Sequence, residues 1–485
     1  MTSLSDVKKE LGDIVIDDPK ILEEYSKDYS LSQARKPIFV LRPSNEDEVC
    51  KIIKTANKYL IPIVPRSSRI GFYGASIPSE SAMVLDLSLM DKILDIDEKN
   101  RIARIEPGVT WEKLQKELER YDLMALNPLL PHPLKSALTS HLEREPHLIP
   151  RQEYKEPLYS VGVILPTGEK LRTGIADIPQ YQEKFHTPHP PRPVTMNFRR
   201  LFQGAQGTLG VVTWAAIKIE YLPRVNRLYF IPFTNLQDAI EATYKILRKV
   251  IGNECFILNS FNMALIIRSL MGKPIEYFEE LRKILPAFTL ILCLSGGRRL
   301  PEEKIEYEEE ALMNIAADLG FEPLPTLCGI SGLDKLFLSV LRKPWPPDKT
   351  YWKLNYKGLF KDIFFITTLD RTPMYTTLMY EMAVKHKYPV EDIGIYIQPL
   401  EQGRACHCEY GLHFNPDKPE EVEMVNNFFR KASEILILNG AFFSRPYGEW
   451  SSMVFNRCAS YFMALKKLKE VFDPNRIMNP GKLCL

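Results

Sequence analysis

The feature that most narrows the fold is a loop bearing glycine and serine that runs from strand to strand with no helix behind it. Ile61-Pro62-Ile63-Val64 reads as a short buried strand ending at Pro65, Arg66 to Pro78 as the loop, and Met83 to Leu87 as a second strand. Such a loop can turn successive backbone N–H groups inward as a nest for a pyrophosphate, and Arg66 and Arg69 add charge-assisted donors. A Rossmann fingerprint needs a helix directly after its glycines, and a P-loop needs Gly-Lys-Ser/Thr; neither is present. Read alone, the loop is compatible both with a pyrophosphate site and with an ordinary surface turn.

Around it the pattern is α+β. Ser44-Asn45-Glu46-Asp47 reads as a capping box, and Val49, Ile52, Ile53, Ala56 and Leu60 behind it share one helical face. Arg101 to Glu106 alternates as a half-buried strand should, and Pro107-Gly108 turns into a helix holding Trp111, Leu114 and Leu118. Tyr159 to Leu165 and Lys170 to Thr173 read as strands joined by a turn, and the proline-rich run Phe185 to Pro193 as an extended loop. His186 and His189 in that run have metal-pair spacing but are expected to ride solvated chain. From residue 225 strands and helices restart (Arg227 to Phe233, Leu236 to Val250, Glu276 to Ile284, Phe288 to Leu294), implying a second sheet with helices on one face. Lys343 to Pro347 and Tyr351-Trp352-Lys353 read as an irregular stretch with exposed aromatics.

A second glycine-bearing segment, Leu201 to Thr213, carries Gly204, Gly207 and Gly210, which would let a flat ligand approach the backbone. The chain closes with Phe472-Asp473-Pro474-Asn475-Arg476-Ile477-Met478-Asn479-Pro480-Gly481-Lys482. In order and spacing these three segments resemble the vanillyl-alcohol oxidase / p-cresol methylhydroxylase (VAO/PCMH) flavoproteins, from about residue 36 to the C-terminus. The family carries P-R-G-G-G-T-x-x-x-G-x-x-x-P, G-x-x-G-T-L-G-I-V-T and F-D-P-x-x-x-x-N-P-G-K at the corresponding places. The resemblance implies FAD and a two-part FAD-binding domain over residues 1–224. It also implies an antiparallel-sheet cap over 225–440 and a C-terminal segment, 441–485, returning to the flavin. Arg66, Ser67, Ser68, Arg69, Ile70, Gly71, Tyr73 and Gly74 would wrap the pyrophosphate. Gly204, Gly207, Thr208, Gly210 and Val212 would line the adenine and flavin, with Asn479 and Lys482 near the isoalloxazine. Ser136 to Arg144 stands at the family's S-x-x-x-A-T-I-G-G stretch, so Ser136 and Thr139 join the cofactor set, while Glu143-Arg144 replaces the glycine pair. No histidine lies in or just before the pyrophosphate loop, so FAD is expected to be non-covalent.

The chemistry candidates fall in the C-terminal half. His407 and His413 resemble, one residue short, the H-x-G-D-G-N-L-H strand of the superfamily's hydroxy-acid dehydrogenases. On a strand they share a face, as ligands must. The family's later E-H-G element is missing, so no metal is expected and the pair is assigned base or ligand duty. Arg445 and Tyr447 fall where phenol-oxidising members bind the substrate oxygen; Arg445 would clamp an anion, and Tyr447 and Tyr410 would bond or relay protons. The alternative for Arg445 is packing on Trp450 or pairing with Glu449. The expected reaction is hydride removal from a small hydroxy acid or phenolic alcohol. The alternative is an electron-transfer subunit serving an iron–sulfur partner, whose cluster must come from elsewhere because this chain has no cluster-binding cysteines.

Bulk properties exclude other classes. At 485 residues, 45% hydrophobic and 26% charged, the chain is globular and multi-domain. A net charge of +2 gives no field for nucleic acid. No apolar run reaches the roughly 20 residues of a spanning helix, and Met1 to Lys9 has no signal-like stretch. Eight scattered cysteines without C-x-x-C suit reduced thiols, hence a cytoplasmic location, with a small-molecule substrate and possible homodimerisation.

Overall fold

Helix Glu46–Tyr59 shows how locally the first layer is encoded. Its N-cap is Asn45, one residue beyond the start of the box read from sequence: Asn45 Oδ1 accepts from Glu48 N–H, and Glu48 reaches back to Ser44 N–H. Val49, Ile52, Ile53 and Ala56 are buried as their spacing predicts, but Leu60 is the left-handed C-cap (φ 54°) and points to solvent. In the computed structural model, which describes residues 4–151, 158–178 and 196–485, this helix covers a four-stranded sheet. The spatial order is Val15–Ile16, Val40–Leu41, Met83–Asp86, Ile63–Arg66, the last three parallel. Pro65 lies inside its strand rather than ending it. The run Phe185–Pro193, with His186 and His189, lies outside the described residues.

A second, antiparallel sheet runs Ile93–Asp97, Ile102–Ile105, Val211–Tyr221, Leu158–Ile164, Lys170–Arg172, and Leu123–Ala125 also pairs with the long strand Val211–Tyr221. Trp111, Leu114 and Leu118 of helix Trp111–Glu119 fill its core. The C-terminal segment returns to the first sheet: Ile63 N–H donates to Ile477 O (2.7 Å) and Asn479 N–H to Ile63 O (2.8 Å).

The third sheet is six-stranded and wholly antiparallel: Val225–Phe233, Phe288–Gly296, Glu254–Asn259, Ile393–Leu400, Ala405–Phe414, Leu359–Thr367. Helices Leu236–Arg248, Pro301–Leu319, Thr372–Lys385 and Pro419–Leu438 cover one face, as expected. Helices Ser260–Met271, Ile275–Ile284 and Leu333–Val340 cover part of the other. The reason lies in the central strands, where Ile291 and Cys293 are as buried as Leu290 and Leu292, so both faces need a lid. The stretch read as carrying exposed aromatics is the reverse: Trp345 and Trp352 are 0% and 1% exposed and form part of that lid. Among the described residues no helix is long and apolar enough to cross a membrane.

Candidate functional site

Two glycine-bearing loops and the C-terminal hook meet in one place. Asn479 Nδ2 donates to Ala75 O (3.1 Å) in the first loop and to Gln206 O (2.7 Å) in the second, and Lys482 Nζ donates to Gly74 O (2.9 Å). Lys469, buried beneath them, donates to Thr208 O, Met478 O and Asp473, which itself accepts from the N–H groups of Ile477 and Met478. The cavity these segments enclose holds about 1110 Å³ of empty space, part of it open to solvent. Gly207 is held at φ 72° against Pro65, where a Cβ would lie 2.9 Å from Cγ; any other residue would strain the turn and close the gap.

Of the expected cofactor residues, Arg66, Ser67, Ser68, Ile70, Gly71, Tyr73, Thr139, Gly207, Gly210 and Val212 line this cavity. Arg69, Gly74, Ser136, Gly204, Thr208, Asn479 and Lys482 do not line it. Gly74, Ser136, Thr208, Asn479 and Lys482 brace it from behind: Ser136 caps helix Ala137–Leu142 and thereby holds Thr139, whose hydroxyl meets that of Ser67 at 2.6 Å. Gly204 leaves room for the Arg144 guanidinium, and Arg69 is exposed. Arg66 lies over the Tyr25 ring and spends its N–H groups on the carbonyls of Ser68 and Arg69, folding the loop. The residues present fit FAD: two glycine-bearing loops and the short hydroxyls of Ser67, Ser68, Ser76 and Thr139 form part of the wall, and beside it the buried Asn479 Oδ1 makes no hydrogen bond in the protein.

A second cavity of about 590 Å³ lies under the cap sheet and shares Phe72, Tyr73, Lys135 and Glu145 with the first. Strand alternation on Ala405–Phe414 sends His407 and Glu409 into it. Lys353 Nζ lies 2.7 Å from Asp362 Oδ2 and 2.6 Å from Glu409 Oε1, and Glu409 Oε2 lies 3.2 Å from His407 Nε2. Asp362 Oδ1 is buried and makes no hydrogen bond, with the Tyr73 phenol facing the carboxyl. Burial pushes Asp362 up from the ordinary carboxylate range. Glu409 is held down: burial opposes ionisation, but Lys353 and His407 outweigh it. Burial also lowers His407, outweighing the contact with Glu409, which favours the charged ring. Lys135 pairs with Glu145, and Arg445 Nη1 is 3.9 Å from the same carboxylate while its guanidinium lies 4.2 Å over the Phe364 ring. Glu449, the alternative partner for Arg445, is taken by Arg430.

Three chemistry candidates therefore reach the cavities and two do not. Arg445 and His407 line the second, and Tyr447 lines the first, its hydroxyl donating to Glu143 at 2.6 Å and its ring stacked on Tyr73. Tyr410 points to the opposite face of the sheet, into the core, where its hydroxyl meets Thr376 at 3.0 Å; the period of two that sends His407 inward sends Tyr410 away. His413 shares the His407 face but is wedged among Phe261, Tyr356 and Phe360 and does not line the cavity. Among the described residues no cluster of three or more His, Cys, Asp or Glu is arranged to hold a metal. Sequence reasoning passed over Lys353, Asp362, Glu409, Lys135 and Glu145. One signal was available: Asp362 is an acid set directly before the apolar run Ile363-Phe364-Phe365-Ile366.

Comparison with known proteins agrees with this geometry. Residues 37–137 match a family model described as an FAD binding domain, and residues 459–483 one described as the C-terminal domain of FAD linked oxidases. An uncharacterized FAD-linked oxidoreductase of Mycobacterium tuberculosis is 23% identical over 95% of this chain and 94% of its own length. A D-lactate dehydrogenase of Anaerostipes hadrus is 20% identical over 96% and 93%. Among solved structures, substrate-bound p-cresol methylhydroxylase superposes with a TM-score of 0.84 at 16% identity, covering 99% of this chain and 96% of that one. The 4-ethylphenol oxidase of Gulosibacter chungangensis gives 0.84 at 18%, covering 99% and 97%. Fold, cofactor cradle and both matched segments agree: the chain is an FAD-linked oxidoreductase with the fold seen in p-cresol methylhydroxylase.

Proposed function

We propose that this oxidoreductase removes a hydride from a carbon bearing, or conjugated to, a hydroxyl group on a small hydroxy acid or phenolic alcohol. The observation that carries the reading is the shared wall: Phe72, Tyr73, Lys135 and Glu145 border both the cofactor cavity and the ion-lined cavity under the cap. FAD, when bound non-covalently between residues 1–224 and the returning segment 441–485, supplies the hydride acceptor. The substrate enters beneath the cap, residues 225–440, where Tyr351, Trp352 and Phe360 wall out water. Arg445 holds its anionic or developing oxyanion group by charge-assisted hydrogen bonds. The hydroxyl proton passes by way of the Tyr73 phenol to Asp362, whose burial gives it the affinity a base needs near neutrality. Lys353 steadies that carboxyl in its ionised form, and Glu409 fixes the His407 ring. The eight cysteines are all free, in keeping with a reducing, cytoplasmic setting.

The test is a visible spectrum of the purified protein, then anaerobic bleaching with hydroxy acids and 4-substituted phenols. Arg445→Ala should keep the yellow colour and raise KM for the accepted substrate by about 10- to 100-fold, the worth of a charged hydrogen bond. Unchanged turnover in that variant would remove Arg445 from the site. A second reading, a flavin subunit docked to an iron–sulfur protein, is favoured by helix Ala459–Phe472. Lys469 of this helix reaches the cofactor cradle, while Tyr461, Met463 and Val471 lie exposed. It predicts co-purification of a cysteine-rich protein and no bleaching by any alcohol.

A further inference from the structure

Glu143 and Arg144 stand where the family carries two glycines, and the geometry gives the first of them a task. Glu143 lines the cofactor cavity, and its carboxyl accepts the Tyr447 hydroxyl at 2.6 Å. Tyr447 stacks on Tyr73 with ring centroids 4.9 Å apart, and Tyr73 borders both cavities. Glu143 therefore lies at the end of the cofactor cavity that adjoins the substrate, where the redox-active ring must sit for the two to react. It is half-buried and lines the cavity.

Four other charged or titratable groups act on it: Tyr447 and Arg445 from the returning segment, and Arg144 and Glu145 from its own. Arg144 turns away, donating to Ser444 O at 3.2 Å, and Arg445 and Lys135 both serve Glu145. The two neighbouring acids are thus split. Lys135 and Arg445 hold Glu145 ionised against its burial, whereas burial dominates at Glu143 and pushes it upward.

We propose that Glu143 is a proton-coupled tuning residue for the flavin, ionised beside the oxidised ring and protonated once the ring is reduced. The inference rests on the FAD assignment and on no particular substrate. Two electrons and one proton delivered to the ring, as a hydride from substrate or as electrons from dithionite with a proton from solvent, would leave one added negative charge there. A like charge disfavours the ionised carboxyl, so Glu143 takes one proton from solvent and the pair keeps a single negative charge throughout. Its Tyr447 bond favours the ionised form and sets the pH at which this exchange begins.

The experiment is a spectroelectrochemical titration of the FAD-loaded protein with dithionite, from mildly acidic to mildly alkaline pH. In the wild type the midpoint potential should fall with pH and show a break where Glu143 ionises in the oxidised state. Glu143→Gln should abolish that break and shift the potential upward, most at alkaline pH. Glu145→Gln should raise the potential while keeping the break. Should Glu143→Gln fail to hold flavin, Tyr447→Phe supplies the reading: loss of its hydroxyl moves the break to higher pH. A break and potential unchanged in Glu143→Gln, or unmoved in Tyr447→Phe, overturns the proposal. Because no substrate is used, failure here is separate from failure of the substrate panel.

Discussion

The cofactor cavity and the cavity under the third sheet share four residues yet are built on different principles. The first is formed by two backbone loops and short side chains together with Asp28, Arg66, Lys135, Glu143 and Glu145, and is braced from behind: Lys469 and Asp473 are buried under the loops and hold them by their carbonyls and N–H groups. The second is walled by the charges themselves, three cations (Lys135, Lys353, Arg445) facing three acids (Glu145, Asp362, Glu409) among aromatic rings. A cavity of the first kind recognises a large ligand by shape and should be intolerant of a single added Cβ. One of the second kind should tolerate changes of shape better than changes of charge. The variants below set the two cavities, and the wall they share, against one another.

The largest effect expected is from Asp362→Asn. If the hydroxyl proton ends on this carboxyl, kcat should fall about 10²- to 10⁴-fold, the usual worth of a positioned base, with flavin content unchanged. The wild-type profile should carry the same signature. Burial raises Asp362, so the ionised form is lost as pH falls through a value above the ordinary carboxylate range, and kcat falls with it. In the variant that acidic limb should vanish. A full limb in Asp362→Asn would assign it to another group.

Lys353→Met comes next. Removing the ammonium leaves two buried carboxylates facing each other, and breaking a buried pair in this way costs about 3–5 kcal/mol. Chemical denaturation should report the loss, and adding Asp362→Asn should restore part of it, because the double variant leaves only Glu409, still in contact with His407. A Lys353→Met protein as stable as the wild type would mean that water already screens this cavity.

Gly207→Ala probes the other construction. The left-handed turn alone costs an L-residue roughly 1–2 kcal/mol, and the methyl meets Pro65. Flavin occupancy at a fixed FAD concentration should drop about tenfold, while any flavin retained turns over at the wild-type rate. An altered pH profile in this variant would show that the cavities are mechanically coupled through their shared wall.

The same contrast explains what could be read in advance. A cradle made of backbone must be encoded by contiguous glycines and their spacing, so Gly207 and Gly210 announce it, and the hook at Asn479 carries its own motif. A cavity made of side chains is assembled from residues 135, 145, 353, 362, 407, 409 and 445, brought together by a six-stranded sheet and its lid. No local pattern links Lys353 on an irregular turn to Asp362 and Glu409 on paired strands. The aromatic stretch around Trp345 and Trp352 misled for a related reason: proline-broken chain reads as surface, but this chain lies over a sheet face that needs cover.

The smallest effect expected separates strand parity from chemical plausibility. A tyrosine three residues from each of two histidines is attractive as a proton relay, but the period of two places Tyr410 on the face away from the cavity, against Thr376. Tyr410→Phe should therefore cost about 1 kcal/mol for one buried hydrogen bond, seen as a small fall in denaturation midpoint, with kcat, KM and flavin content unchanged. Tyr73→Phe, equally conservative but on the shared wall, should slow proton transfer and leave stability nearly untouched. If the two variants behaved alike, the face of the strand would not be what separates core from site, and the division between the two cavities would fail at the wall they share.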